Sequence, residues 1–367
     1  MAGIYLHVPF CHSKCAYCDF YSIANPAKVD EYVNTVEQEY GQRVCELGSE
    51  MVSTLYFGGG TPSMLDTEHF SRLAGLLYSD SIEEFTIEVN PEDVTEDKVR
   101  LWCECGVNRV SIGVQSLIDE ELRTVRRRHS AADALSAIKM LQDAGISNIS
   151  GDLIYGLPGQ TRQSWEYSLG TLLATGIKHL SAYCLSYEEG TLLYRMLCDG
   201  RINEMPDEET EYLYGLLCRR AAEAGFNHYE ISNFALPGLH SRHNSNYWRG
   251  VAYLGLGPAA HSLDSVGIRR YNTAAVSEYI NGCNAVGIVE AETDIDRVND
   301  RIMTGLRTAE GIYLQDFKPE ISCAILRQGM HWLETGHLHY IAEAGRVYIP
   351  EDKWLLADAV IRDLFVV

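Results

Sequence analysis

Three cysteines fall within eight residues, in the run Cys11-His-Ser-Lys-Cys15-Ala-Tyr-Cys18. Soft thiolates this close suit an iron–sulfur cluster or zinc. A cubane held by three thiolates keeps one iron open to an outside chelating group. The amino and carboxylate groups of S-adenosylmethionine would serve there. An electron passed from cluster to sulfonium cleaves a C–S bond and releases a 5′-deoxyadenosyl radical, chemistry that belongs to the cofactors. Zinc is the competing reading, with His7 joining Cys11, Cys15 and Cys18 in a Cys3His site. Zinc ligands usually come as two knuckles across a loop, whereas these crowd one strand end. Spacing alone leaves both readings open.

The elements that must position these residues alternate along the first two-thirds of the chain. Strand-like runs rich in Ile, Val, Tyr and Leu lie at 4–8, 53–57, 85–89, 109–114, 149–155 and 179–185. Helical patterns lie at about 28–46, 66–78, 95–104, 131–144, 161–175 and 207–224, with Thr161 placed to cap one of them. Repeated β-then-α order predicts a parallel sheet, as a partial barrel or an open sheet. Polar clusters follow the strands: Gly58-Gly59-Gly60-Thr61-Pro62, Glu88-Val-Asn90-Pro91, Gly113-Val-Gln115, then Asp152 leading into Gly156-Leu-Pro158-Gly159. In parallel α/β folds the carboxyl ends of the strands form the site face, so these clusters and the cysteines share one face.

Residues 233–290 read as a connecting segment rich in aromatics, Asn and His, after a first unit spanning 1–232. Residues 291–367 read as a small unit of helix, helix, hairpin and helix resembling a winged helix. Gly255-Leu-Gly257-Pro-Ala-Ala260 mimics a dinucleotide fingerprint but lacks the βαβ setting. The chain has 51 acidic and 30 basic residues, a net charge of −21, which disfavours broad nucleic-acid binding. No signal peptide or membrane span is evident, so the expectation is a cytoplasmic protein whose cysteines bind metal rather than pair in disulfides.

The triad C-x3-C-x2-C, with Tyr17 before its last cysteine, resembles the radical S-adenosylmethionine superfamily. Tyr5-Leu-His-Val-Pro-Phe-Cys11, Gly58-Gly-Gly-Thr-Pro-Ser63, Glu88-Val-Asn-Pro91, Gly113-Val-Gln-Ser116, Asp152-Leu-Ile-Tyr-Gly-Leu-Pro158 and Tyr229-Glu-Ile-Ser-Asn-Phe234 extend the likeness to the oxygen-independent coproporphyrinogen III oxidase family. That family's oxidases carry a fourth cysteine two residues after the third, where this chain has Phe20. Its HemW branch, regarded as haem chaperones, lacks that cysteine and carries H-N-x-x-Y-W, matched by His243-Asn244-Ser245-Asn246-Tyr247-Trp248.

The resemblance implies an α/β fold: a partial (β/α)6 parallel barrel of radical SAM type with a small, mainly helical, winged-helix-like C-terminal domain. It implies a [4Fe–4S] cluster on Cys11, Cys15 and Cys18, with S-adenosylmethionine contacts at Tyr5, Tyr17, Gly59, Gly60, Thr61, Glu88, Gln115, Arg127, Asp152 and Cys184. Cys184 is expected to offer backbone contacts only. The run Arg126-Arg127-Arg128 leaves the register of the carboxylate-binding arginine open. The resemblance also implies haem, with His243 as axial ligand and Tyr247 and Trp248 over the porphyrin, since imidazole is a common haem ligand. The partners expected are a haem-accepting protein, an electron donor and transient contact with membrane proteins. Coproporphyrinogen III oxidation, or another radical SAM reaction on a porphyrin-like substrate, is the alternative activity.

Overall fold

A computed structural model of the chain describes residues 1–24, 26–282 and 286–366. Six parallel strands come first: β1 (Ala2–Val8), β2 (Val52–Gly59), β3 (Glu84–Val89), β4 (Arg109–Gln115), β5 (Asn148–Tyr155) and β6 (His179–Cys184), hydrogen-bonded in chain order. Between them run α1 (Val29–Arg43), α2 (Thr67–Leu77), α3 (Glu96–Glu104), α4 (Asp119–Thr124), α5 (Ala131–Asp143) and α6 (Arg162–Ala174). Thr161 caps α6 by accepting from Ser164 N, as its position before the helical run predicts. The β-then-α order thus yields the parallel sheet expected from it, and of the partial barrel and the open sheet it left possible, the partial six-stranded barrel that the resemblance implies is the observed one.

The strands alternate with period two, and the alternation decides what faces where. Ile4, Leu6, Val8, Leu55, Phe57, Phe85 and Ile87 are buried outward, under the helices. Phe57 meets Phe70 of α2 edge-on at 5.6 Å. Burial of each such side chain stabilises the fold by roughly 1.5–3 kcal/mol. The inward positions are instead polar or small: Gly3, Tyr5 and His7 on β1, Arg109 and Ser111 on β4, Ser150 and Asp152 on β5, His179 and Ser181 on β6. Polar groups turned inward are unfavourable unless bonded to one another or to a ligand.

After β6 come α7 (Leu192–Cys198) and α8 (Asp207–Glu223). The sheet then gains β7 (Asn227–Glu230) and β8 (Asn233–Ala235), with β8 antiparallel to β6. The motif His243–Trp248 forms α9 (Arg242–Trp248), a short helix rather than a loop. The next strand, β9 (Tyr253–Leu256), returns to pair parallel with β1, and β10 (His261–Leu263), β11 (Arg269–Tyr271) and β12 (Ile288–Val289) continue beyond it. Residues 233–290 thus extend the sheet at both ends, and Gly257–Ala260 is the turn between β9 and β10 rather than a nucleotide loop. Between β11 and β12 lies α10 (Val276–Asn281).

The last unit runs α11 (Asp294–Leu306), β13 (Ile312–Tyr313), α12 (Pro319–Gln328), α13 (Met330–Glu334), β14 (His339–Ile341), β15 (Arg346–Tyr348) and α14 (Ala357–Asp363). Its antiparallel sheet is ordered β13-β15-β14, a winged-helix order of elements. Among the described residues no helix is long and apolar enough to cross a membrane.

Candidate cofactor site

The loop after β1 carries the three cysteines across the carboxyl ends of the strands. Cys11 N donates to Ile23 O and Ile23 N to Pro9 O, closing the loop at its base. Ala16 N donates to Val125 O and Ala16 O accepts from Leu193 N, which fix the tip. All three cysteines are half-buried. Two receive donors, one from the turn after β2 and one from the segment between α4 and α5. Thr61 Oγ1 lies 3.4 Å from Cys11 Sγ, and Arg127 Nη1 lies 3.5 Å from Cys15 Sγ. Burial, and next the neighbouring Cys15, pushes the Cys18 thiol up to about 11. A group placed like this ionises readily only beside a cation.

His7 does not complete a zinc set. Its Nε2 lies 2.9 Å from Tyr21 O and its Nδ1 lies 3.1 Å from Tyr5 Oη, and the ring is buried. With both nitrogens engaged, His7 has no lone pair left for a metal beside the cysteines.

Arg127 is the member of the arginine run that enters the site. Its Nη2 donates to Asn90 Oδ1 and to Gly113 O, each at 2.8 Å, while its Nε is buried without a partner. Arg126 and Arg128 are exposed, and Arg126 takes a positive φ of 59° that turns the chain between them. Tyr17 sits beside Arg127, with burial holding its phenol well above the ordinary value. It packs on the small apolar group of Val125, Ile154 and Leu157.

The Gly58–Thr61 turn needs its small residues. A Cβ on Gly60 would lie 2.6 Å from Phe10 O, so only glycine lets this backbone close against the cysteine loop. Gly59 N donates to Glu88 Oε2 at 3.1 Å, and Tyr56 Oη donates to Glu88 Oε1 at 2.7 Å. Burial pushes Glu88 up to about 7 against those two bonds. Asp152 is pushed up to about 6, again by burial, while the hydroxyls of Ser111, Ser181 and Ser150 hold it down. Gln115 ends β4 at a positive φ of 65°, a strained position for a residue with a side chain. Cys184 lies on the outward-facing parity of β6, so only its backbone lines the barrel interior.

His243 lies at the opposite end of the barrel. It is 1% exposed, with Nδ1 2.8 Å from Thr54 Oγ1 and Nε2 2.7 Å from Tyr247 Oη. Its ring stacks on Tyr56 at 5.1 Å, and burial lowers its pKa to about 3. Glu84 accepts from the backbone N of both Arg242 and His243, a carboxylate seated at the amino end of α9. The motif thus plugs the amino-terminal mouth of the barrel, and neither ring nitrogen of His243 faces open space.

Several inward residues escaped the sequence reading: Arg109, Ser111, Ser150, His179 and Ser181. Arg109 is 1% exposed with its Nε unpartnered, and its charge favours ionised Glu88 and Asp152. The alternation Arg109-x-Ser111-x-Gly113-x-Gln115 was the available signal.

Comparison with known proteins agrees with this arrangement. Residues 5–172 match the radical SAM superfamily. The chain is 34% identical over 328 residues to heme chaperone HemW of Bacillus subtilis, covering 86% of each chain. It is 32% identical over 379 residues to HemW of Mycobacterium tuberculosis, covering 99% of this chain and 94% of that one. The chain belongs to the HemW family of the radical SAM superfamily. Among solved structures, coproporphyrinogen III oxidase (HemN) of Escherichia coli superposes with a TM-score of 0.86 over all of this chain and 90% of its own, at 22% identity. That likeness fixes the fold. Phe20, two residues beyond Cys18, is 66% exposed, and a phenyl ring brings no ligand to the site of this HemW-family chain.

Proposed function

We propose that the protein is a haem chaperone that carries a [4Fe–4S] cluster and S-adenosylmethionine and passes haem to an acceptor protein. The observation that carries the cofactor half is the pair of donors aimed at cysteine sulfur, from Thr61 and Arg127, on a three-cysteine loop. Hydrogen bonds to sulfur are among the levers that set cluster potentials. When bound, the cluster and S-adenosylmethionine supply one-electron cleavage of the sulfonium. Around them Arg127 holds the methionine carboxylate, and Gly59, Gly60 and Thr61 let the backbone approach the methionine end. Glu88 takes the α-amino group or a ribose hydroxyl, and Gln115 and Asp152 take the ribose. Tyr5 and Tyr17 flank the ligand, and Cys184 offers backbone. An external electron donor serves the cluster.

The haem half rests on the kinship to proteins named heme chaperones. The experiment is a haem titration of the cluster-loaded protein, with the chemically reduced, cluster-loaded protein incubated in parallel with coproporphyrinogen III and S-adenosylmethionine. A saturable Soret band without protoporphyrinogen supports the chaperone. Protoporphyrinogen formation would establish the oxidase instead. In the same titration His243→Ala tests the axial ligand. That role requires α9 to lift, since Thr54 and Tyr247 occupy the ring nitrogens. An unchanged Soret band and affinity would assign His243 to the barrel plug alone. In either case the variant is expected to lose about 2–4 kcal/mol of stability, from the cavity and the orphaned Thr54 and Tyr247 hydroxyls.

Affinity for S-adenosylmethionine is expected to depend on pH. Accepting from an amino N–H or a hydroxyl favours the ionised carboxylate, and burial pushes Glu88 up to about 7. At pH 8 that carboxylate is mostly charged, and at pH 6 roughly one-tenth of it is, so affinity falls about tenfold between them. Isothermal titration at the two values checks this. A flat profile would remove Glu88 from the contact.

A further inference from the structure

We propose that Cys218, His228 and Glu351 form a binding site for one zinc-class divalent cation at the seam between the barrel and the C-terminal unit. Cys218 lies on α8, His228 on β7, and Glu351 opens a short 3-10 helix, Glu351–Leu356. One donor atom from each lies within 4.8 Å of the other two, and His228 Nδ1 is 3.2 Å from Glu351 Oε1. A tetrahedral ion with bonds of roughly 2.0–2.3 Å needs its ligands roughly 3.3–3.8 Å apart. Small rotations of the two flexible side chains supply the remaining closure.

The imidazole is already fixed. It stacks on Phe234 at 3.9 Å and meets Trp354 edge-on at 4.3 Å, and Trp354 Nε1 donates to Ile349 O. Tyr214 Oη donates to the backbone oxygen of Glu351, which anchors the third ligand's chain. Thus α8 and the C-terminal unit each bring one ligand to the β7 imidazole, a ring that does not need to move.

Donor chemistry selects the ion. One thiolate, one carboxylate and one neutral imidazole carry a charge of −2 and neutralise a divalent cation. Sulfur and imidazole favour the zinc class over magnesium or calcium, which take oxygen. The Glu351 side chain is 53% exposed, giving the ion an entry path and leaving a fourth position to water. Cysteine ligates as the thiolate, so binding the ion releases the thiol proton. The site lies on the helix side of the sheet, apart from Cys11, Cys15 and Cys18, and its role is to tie the C-terminal unit to the barrel.

The test uses cluster-loaded, full-length protein exposed to zinc and desalted, with metal content measured by emission spectroscopy. Cobalt(II) is substituted in a parallel sample for difference spectra. Wild type is expected to retain one zinc and to show a thiolate-to-cobalt charge-transfer band, with a zinc-dependent rise in Tm. Cys218→Ser and Glu351→Gln are each expected to bind at least about 100-fold more weakly, since even outer-shell partners are worth 10- to 100-fold. Cys323→Ser, at an exposed cysteine elsewhere, behaves as wild type. Zinc retention by Cys218→Ser equal to wild type, or wild type without a thiolate–cobalt band, would overturn the proposal. Glu351→Gln removes only an exposed carboxylate, so it reads the same question if Cys218→Ser folds poorly.

Discussion

Arg127→Met is expected to weaken S-adenosylmethionine binding by about 100-fold, while Arg126→Ala and Arg128→Ala leave it within about twofold. The asymmetry follows from where the three side chains go. Arg127 spends Nη2 on Asn90 and Gly113, points Nη1 at Cys15 sulfur, and keeps a buried Nε unpaired. Its neighbours are exposed. Charge-assisted bonds to a buried carboxylate are worth about 1.5–3 kcal/mol, and the upper end corresponds to two decades of affinity. The measurement is calorimetric titration of cluster-loaded variants. Equal losses in all three would show a diffuse electrostatic effect and sink the specific contact. Arg127→Lys keeps the charge but not the fork, and is expected to recover only part of the affinity.

Cys18→Ala should bring the iron content from about four atoms per chain to below one after anaerobic reconstitution. Two thiolates cannot hold the cubane that three hold; Phe20 is apolar, and the His7 nitrogens are engaged. His7→Ala separates this from a Cys3His zinc site. It should leave iron and labile sulfide unchanged, whereas a zinc site would lose its metal with either substitution. Retention of four irons by Cys18→Ala would mean that the ligand set has been misread.

The strands were legible because each is a run of β-branched and aromatic residues closed by Gly, Pro or Asn. The expected run 109–114 became Arg109–Gln115, and 149–155 became Asn148–Tyr155. The site face was legible for a related reason: motifs at successive strand ends must meet in a parallel barrel. The polar interior was not read, because Ser111, Ser150 and Ser181 looked like interruptions of apolar runs rather than one face of an alternation. His243 was harder still. Its surroundings come from Thr54, Tyr56 and Glu84, more than 150 residues earlier in the chain, and nothing in His243–Trp248 itself announces a carboxylate at its helix start. The Cys218–His228–Glu351 group joins residues that only the docking of the C-terminal unit brings together.

The seating of α9 on Glu84 has a consequence for traffic. With that end stoppered by His243, traffic to the inward polar residues is turned toward the other end of the strands, the one rimmed by Cys11, Cys15 and Cys18.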